Sequence, residues 1–278
     1  MAESTSPDTG TERETVTSPD GTEIAFERTG SGPPLVLVHG AGGDHNLWEF
    51  FDVRTTLADH CTVYAIDRRG RGGSGDASAH DLGREVADVV AVVEAVDEPV
   101  TLFGQSYGAL CALEAALRTD HLRRLIVYEG IVSGDDETKR AIIDELLAEI
   151  QPLVDEGQSE EAFEFLMQAV GVPSEVIETV RSTPAWDEMS YGAEKLPREL
   201  RTFGEYEFDP SRFEAVTTPT LLLVGEESDP TLRAGTEAVA EALPNSRIET
   251  IEGHGHGANL TAPDRFTDEV LSFVRESR

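Results

Sequence analysis

A serine between two glycines is the residue of this chain whose surroundings most favour nucleophilic chemistry. The segment GQSYG, residues 104–108, follows a short apolar run at 100–103 and precedes a run of small residues. A G-x-S-x-G segment between a strand and a helix forms a strained turn that lifts the serine hydroxyl above the sheet. The flanking glycines are needed because a Cβ there would collide with the neighbouring backbone. Ser106 is therefore the candidate nucleophile.

A nucleophilic serine needs a base, and the C-terminal part of the chain offers two histidines. The segment EGHGHG, residues 252–257, follows the last apolar run. His256 is the preferred base because its loop position is the usual one for a base that follows the serine and the acid in chain order. His254 is the rival. Both histidines could instead be exposed loop residues, and a His-x-His metal pair lacks obvious further ligands.

Six short apolar runs separated by helical patterns indicate an α/β fold. They cover residues 35–38, 62–66, 100–103, 125–128, 220–224 and 248–251. Apolar runs without alternation are typical of parallel strands that are buried on both faces. A hairpin precedes them, with strands at 14–16 and 22–27 around the turn Pro19-Asp20-Gly21. We therefore predict a doubly wound, mostly parallel sheet with helices on both sides.

The spacing of apolar residues changes between the fourth and fifth of these runs. No strand pattern appears there, and apolar residues recur at helical spacing, for example over 142–154 and 162–170. We predict a disordered acidic tail at residues 1–11 and a core formed by residues 12–133 and 213–278. A helical cap is inserted in this core at residues 134–212.

Composition narrows the class of protein. The chain has 278 residues, of which 39% are hydrophobic, and no apolar run approaches the ~20 residues of a membrane span. Its first residues lack the basic and apolar regions of a secretory signal. We therefore expect a cytoplasmic globular protein, in which Cys61 and Cys111 are buried free thiols that form neither a disulfide nor a metal site.

The charge balance is strongly acidic. Asp and Glu number 54 against 22 Lys and Arg, a net charge of −32, and Lys139 and Lys195 are the only lysines. Such a surface repels nucleic acid and anionic membranes, so a small-molecule substrate is the expected partner. The acid-rich, lysine-poor composition resembles that of halophilic proteins. We expect the unfolding temperature to rise between about 0.1 and about 3 M salt, because salt screens the self-repulsion.

Four motifs in order make the sequence resemble the alpha/beta-hydrolase superfamily. Besides the segments around Ser106 and His256, they are HGAGG at 39–43 and DRRGRG at 67–72, which follow the first and second apolar runs. The resemblance covers roughly residues 22–276 and implies the alpha/beta-hydrolase fold. It also implies that the backbone N–H groups of Ala41 and Tyr107 form the oxyanion hole, in which pre-aimed donors stabilise a tetrahedral oxyanion.

The acid that should orient the histidine departs from the family pattern. Relatives commonly carry Asp three residues after the glycine that ends the penultimate strand, but after Gly225 the chain reads Glu-Glu-Ser before Asp229. Asp229 is preferred, because the Asp-Pro pair matches the family and a one-residue insertion is tolerated in a loop. Glu129 is the rival, since some relatives take their acid from the end of that earlier strand. Glu227 ranks third.

The resemblance implies a serine hydrolase that cleaves an ester or related acyl bond of a small to medium, fairly apolar substrate through an acyl-enzyme. Lactonase, carbon–carbon bond hydrolase and cofactor-free haloperoxidase-like perhydrolase are alternatives. A non-catalytic ligand-binding protein on the same scaffold is an alternative of another class.

No cofactor or metal is expected. A G-x-G-x-x-G match at 70–75 could cradle a dinucleotide, but it follows the second strand and lies within the DRRGRG loop. The arginines of that loop are expected to neutralise nearby carboxylates. The oligomeric state is left open.

Overall fold

The computed structural model of this chain describes residues 11–130 and 136–276, and its central element is an eight-stranded sheet. The strands are β1 (Glu12–Thr17), β2 (Glu23–Gly30), β3 (Pro34–Val38), β4 (Thr62–Ile66), β5 (Val100–Gln105), β6 (Leu122–Tyr128), β7 (Thr220–Gly225) and β8 (Ser246–Ile251). Their order is β1-β2-β4-β3-β5-β6-β7-β8. β2 is antiparallel to both neighbours, and all other pairs are parallel. The predicted mostly parallel sheet is confirmed.

The apolar runs form strands because both faces of the sheet are covered. Every residue of β3, β5 and β7 is buried. Alternate side chains point to opposite faces. Val36 and Leu102 join one apolar cluster, whereas Leu37 and Phe103 join the other. The edge strands β1 and β8 are mostly exposed and polar, since only one neighbour pairs with each of them.

The helices are α1 (Val53–Ala58), α2 (Leu82–Ala95), α3 (Tyr107–Ala115), α4 (Asp136–Asp155), α5 (Ser159–Ala169), α6 (Ser174–Arg181), α7 (Pro184–Gly192), α8 (Leu196–Glu205), α9 (Pro230–Ala242), α10 (Ala258–Thr261) and α11 (Pro263–Arg275). Helices α2, α3 and α9 contribute to the first apolar cluster, and α1 and α11 contribute to the second. Short 3₁₀ helices lie at His45–Asp52, Ala193–Lys195 and Pro210–Phe213.

Helices α4 to α8 lie between β6 and β7, in the interval where the sequence shows helical spacing. We call residues 136–205 the cap. The predicted start of the cap at residue 134 lies outside the described residues, as does the predicted tail at 1–11 except for its last residue. Cys61 and Cys111 are buried and free, as predicted. Among the helices of the described residues, none combines the length and apolar character needed to cross a bilayer.

Candidate active site

Ser106 lies at the junction of β5 and α3, in a turn that its two glycines make possible. Its φ of 54° and ψ of −118° are strained for a residue with a side chain. A Cβ on Gly104 would lie 2.3 Å from the Gly108 oxygen, and a Cβ on Gly108 would lie 2.3 Å from the Val38 oxygen. Close packing of strand against helix therefore requires both glycines and leaves the half-buried Ser106 at a cavity wall.

His256 lies in the loop after β8, and its ring is oriented by a buried carboxylate. Its Nδ1 is 2.5 Å from Glu129 Oε2. Because an ionised carboxylate can only accept a hydrogen bond, Nδ1 carries the proton and Nε2 of the neutral ring is left as an acceptor. His256 and Ser106 line the same cavity. Within the described residues no hydrogen bond joins them, and such a contact commonly tightens only when substrate is bound.

Tyr128 fixes the backbone of the His256 loop. Its hydroxyl donates to the Gly255 carbonyl at 2.9 Å and accepts from the Ala258 N–H at 3.1 Å. Its ring stacks on the imidazole of His256, with 6.0 Å between ring centroids. The rival His254 has its Nδ1 3.0 Å from Thr261 Oγ1. Contacts within the loop therefore place His256, and not His254, at the cavity.

Glu129, directly after β6, is held from three sides. Its Oε1 accepts from the Gly225 N–H at 2.6 Å and from the Ser228 hydroxyl at 2.5 Å, while Oε2 contacts His256. The side chain is fully buried, and the residue has a φ of 46°. A carboxylate with partners on both oxygens is held in one orientation. Glu129 is thus built to orient an imidazole.

The preference for Asp229 over Glu129 disagrees with these contacts. Asp229 is exposed, and its carboxylate caps the N-terminus of α9 by accepting from the Thr231 N–H at 2.8 Å. Glu227 is also exposed. The reason is the register of the loop: the extra residue carries Asp229 past the site and leaves Ser228 beside Glu129. Sequence reasoning missed Ser228, although it stands three residues after Gly225, where relatives commonly have Asp.

The two predicted oxyanion donors lie beside Ser106. A Cβ on Gly40 would lie 3.3 Å from Ser106 Cβ, so the loop carrying Ala41 passes directly over the serine. Tyr107 is the first residue of α3, where an N–H has no acceptor within the helix. Both residues line the cavity that contains Ser106. Their assignment as the oxyanion hole stays a prediction.

The DRRGRG loop is held by ion pairs within the protein. Arg68 is fully buried and pairs with Glu85 at 3.1 Å and with Glu199 of the cap at 2.8 Å. Burial disfavours its charge, but the two carboxylates outweigh burial and raise the pKa of Arg68 above its usual value. Gly72 has a φ of 46°, and a Cβ there would lie 2.3 Å from the Asp67 carboxylate. Gly72, the second glycine of the G-x-G-x-x-G match, is thus required by packing against Asp67.

One cluster has the residue types of a metal site. Potential ligand atoms of Asp44, His45 and Asp67 lie within 4.8 Å of one another. However, His45 Nδ1 is 2.7 Å from Asp67 and its Nε2 is 3.2 Å from Glu27. Although burial opposes the charge, these carboxylates raise the pKa of His45 to about 10. Both ring nitrogens of His45 thus have carboxylate partners, and ion pairs hold the cluster together in this structure.

The cavity beside Ser106 has a volume of about 100 Å³ and a mainly apolar wall. Its cap-side and loop residues include Leu47, Ile143, Leu146, Phe163, Leu166, Met167, Val170, Val172, Met189, Leu200, Phe203 and Leu260. Among the described residues that line it, none is Asp, Glu, Lys or Arg. The cavity can therefore enclose a small neutral, apolar group next to the serine.

Comparisons with known proteins identify the family of this chain. The Alpha/beta hydrolase family model matches residues 35–269. The chain is 34% identical to an alpha/beta hydrolase from Sphaerobacter thermophilus, with a TM-score of 0.74 over 94% of this chain and 99% of that one. It is 26% identical to a thermophilic esterase from Thermogutta terrifontis, with a TM-score of 0.72 over 95% and 98% of the two chains.

A curated relative is the 2-hydroxy-6-oxo-6-(2'-aminophenyl)hexa-2,4-dienoic acid hydrolase of Metapseudomonas resinovorans. It is 23% identical, and the alignment covers 91% of this chain and 88% of the relative. The family match spans most of the chain, from the first parallel strand to the last helix. This chain therefore belongs to the alpha/beta hydrolase family.

Proposed function

We propose that this protein is a serine hydrolase that cleaves a carboxylic ester with a small, apolar acyl group. The observation that carries the proposal is the placement of Ser106, on a strained turn, and His256, paired with buried Glu129, at the wall of one apolar cavity. This is the arrangement that nucleophilic catalysis by serine needs.

In the proposed mechanism, His256 Nε2 takes the proton of the Ser106 hydroxyl as Oγ attacks the ester carbonyl carbon. The carbonyl oxygen gains negative charge and accepts hydrogen bonds from the Ala41 and Tyr107 N–H groups. Collapse of the tetrahedral intermediate breaks the bond to the alcohol, which leaves with the proton from His256. Water then attacks the acyl-enzyme with the same assistance and releases the acid.

Glu129 orients the base and does not itself accept a proton in this scheme. Its contact with Nδ1 at 2.5 Å keeps the proton on that nitrogen and stabilises the imidazolium that forms during each step. Gly225 and Ser228 in turn hold the carboxylate. The esterase from Thermogutta terrifontis, 26% identical over nearly the whole chain, supports the choice of an ester as substrate.

The cavity wall favours small, uncharged substrates over anionic ones. The relative from Metapseudomonas resinovorans is named for hydrolysis of a dienoic acid. A carboxylate beside Ser106 would need a cation, and the described residues that line this cavity supply none. For this reason we place an ester ahead of carbon–carbon hydrolysis of such an acid.

The experiment compares p-nitrophenyl acetate, butyrate and octanoate with a thioester, a lactone, a dienoic acid and a perhydrolysis assay. We propose that the acidic surface suits high salt, so each assay is run at about 0.1 and about 3 M KCl. Short esters should be hydrolysed fastest, and Ser106→Ala should lose at least about 10³-fold in kcat/KM.

If another substrate class is turned over faster than the esters, that class becomes the proposed substrate. Turnover that survives in Ser106→Ala would contradict the proposed mechanism. Binding of esters without turnover or labelling of Ser106 would instead support the non-catalytic ligand-binding alternative.

A further inference from the structure

Buried side chains hold the peptide groups on both sides of Ala41. On one side, the Gly40 carbonyl accepts from Arg68 Nη2 at 3.0 Å. On the other, the Gly42 N–H donates to Glu199 Oε2 at 3.0 Å. Because a peptide group is planar and trans, fixing the Gly40 oxygen fixes the Ala41 N–H in the opposite direction. His39 Nδ1 also lies 2.9 Å from the Gly40 oxygen. The orientation of the Ala41 N–H therefore depends on His39, on Arg68 and, through Arg68 and the Gly42 N–H, on Glu199.

Glu199 belongs to the cap, whereas the groups that it holds belong to the core. Its side chain is fully buried in α8. Besides Gly42, its carboxylate pairs with Arg68 at 2.8 Å and with Arg71 at 2.6 Å. Burial raises the pKa of a carboxyl group, but the two guanidinium groups outweigh burial and lower the pKa of Glu199 to about 2. Glu199 is therefore ionised wherever the protein is folded near neutral pH.

Stability alone does not explain this arrangement. Replacing a buried ion pair with well-packed apolar residues is often neutral or stabilising, because desolvation of the charges offsets their attraction. Arg68 also lies over the ring of Tyr107, with its central carbon 4.5 Å from the ring centroid. The same guanidinium thus contacts Tyr107, which carries one predicted oxyanion donor. It also contacts Gly40, the neighbour of Ala41, which carries the other. Such a network sets backbone orientation at the place where the reaction needs it.

We propose that Glu199 is a positioning residue for the oxyanion hole, through which docking of the cap aims the Ala41 N–H at the space above Ser106. The inference rests on the proposed serine hydrolase function, since it needs an oxyanion to be stabilised. It assigns the cap a second task beside lining the cavity. The cap supplies the carboxylate that completes the core's catalytic geometry.

A matched control exists in the same molecule. Glu114 of α3 is also a buried glutamate, and it accepts from Tyr206 at 2.8 Å and from Arg212 at 2.7 Å, in the segment that follows the cap. Within the described residues, its hydrogen-bond partners lie outside the loop of residues 39–43 that carries Ala41. Glu114→Gln therefore measures what loss of a buried carboxylate does to stability alone.

The test compares Glu199→Gln, Glu199→Asp and Glu114→Gln with the wild type on p-nitrophenyl acetate. The Gln side chain has the size of Glu199 but no charge. The Asp side chain has the charge but is shorter, so its carboxylate lies farther from the Gly42 N–H. Rates are normalised to sites titrated with a fluorophosphonate, below the unfolding temperature of each variant. Both Glu199 variants should lose about 10- to 100-fold in kcat with KM within about twofold, because a displaced donor costs less than a removed one.

A second readout separates positioning from stability. A trifluoromethyl ketone, which forms a tetrahedral adduct on the serine, should bind the Glu199 variants more weakly by the factor lost in kcat. Glu114→Gln should lower the unfolding temperature while kcat stays within about twofold of the wild type.

Two results would overturn the inference alone. One is an unchanged kcat per titrated site in both Glu199 variants. The other is a raised KM with unchanged kcat, which is expected if Glu199 only holds the cap against the core. A wild-type protein that the fluorophosphonate does not label would overturn the proposed function, and the inference with it.

Discussion

The loops after β6 and β7 leave neighbouring parallel strands at the same edge of the sheet, and each carries a carboxylate suited to orient a histidine. Tyr128 of β6 pairs with Leu223 of β7, so Glu129 lies next to the end of β7 and contacts Gly225 and His256. Asp229 comes later and caps α9 instead. The difference shows that loop register, and not residue type, decides which carboxylate reaches the base.

The two loops also differ in backbone strain. Glu129 has a φ of 46°, and Ser106, directly after the adjacent strand β5, has a φ of 54°. Left-handed backbone at residues with side chains costs of order 1 kcal/mol or more, and it is retained where the surroundings hold it. Asp229, with a φ of −50°, carries no such strain. Of these three residues, the two at the candidate site are left-handed and Asp229 is not; Phe51 and Asp52 are also left-handed.

The largest expected effect distinguishes the two acids directly. Glu129→Ala should lower kcat for p-nitrophenyl acetate by about 10³- to 10⁴-fold, because the imidazole loses the partner that fixes its tautomer and orientation. Steady-state kinetics on protein with native circular dichroism provides the measurement. A loss below about tenfold would mean that Glu129 is not the orienting acid.

Moving the acid from one loop to the other should restore part of that loss. Ser228 Oγ lies 2.5 Å from Glu129 Oε1, at the position where relatives commonly have Asp. In the double variant Glu129→Ala with Ser228→Asp, the new carboxylate should raise kcat about 10- to 100-fold above that of Glu129→Ala alone. The double variant with Ser228→Asn is the control, which should not recover. Equal rates in the Asp and Asn versions would show that position 228 cannot reach the histidine.

A smaller effect measures what the β7 loop contributes in its present form. Ser228→Ala removes one of the donors to the Glu129 carboxylate but leaves the Gly225 N–H in place. We expect kcat to fall by about 3- to 10-fold, since a hydrogen bond to a charged group is lost while the acid remains. In Ser228→Thr, which retains the hydroxyl, kcat should fall less. A loss as large as that of Glu129→Ala would assign Ser228 a more direct role.

The smallest effect on activity is expected at Asp229. Asp229→Ala should leave kcat within about twofold of the wild type and lower the free energy of unfolding by about 1 kcal/mol, because α9 loses its N-cap. Asp229→Asn should retain most of that stability. Urea unfolding and ester hydrolysis together test this prediction. A large loss of kcat in Asp229→Ala would mean that Asp229 takes part in catalysis.

The core could be predicted from the sequence because its signals are local. All six runs form strands, but the last of them, β8, lies at the edge of the sheet and is not buried on both faces as predicted. The Ser106 turn is encoded by its own two glycines. The ends of the strands were predicted less accurately. β6 begins at Leu122, before the apolar run, because backbone pairing continues through its polar first residues.

Features that depend on distant contacts could not be predicted in the same way. The choice between Glu129 and Asp229 depends on how two loops align across neighbouring strands. Glu199 gave no signal, because the Gly42 N–H that it accepts from is 157 residues away in the chain. In sequence, its surroundings look like those of any helix with charged residues of both signs.

The central claim is that Ser106 is a nucleophile activated by His256, and mass spectrometry after exposure to a fluorophosphonate tests it most directly. We predict a single adduct per chain on the peptide that contains Ser106, formed at least about 10³ times more slowly in His256→Ala and not at all in Ser106→Ala. No adduct on the wild type, an adduct on another residue, or an equal labelling rate in His256→Ala would contradict the account.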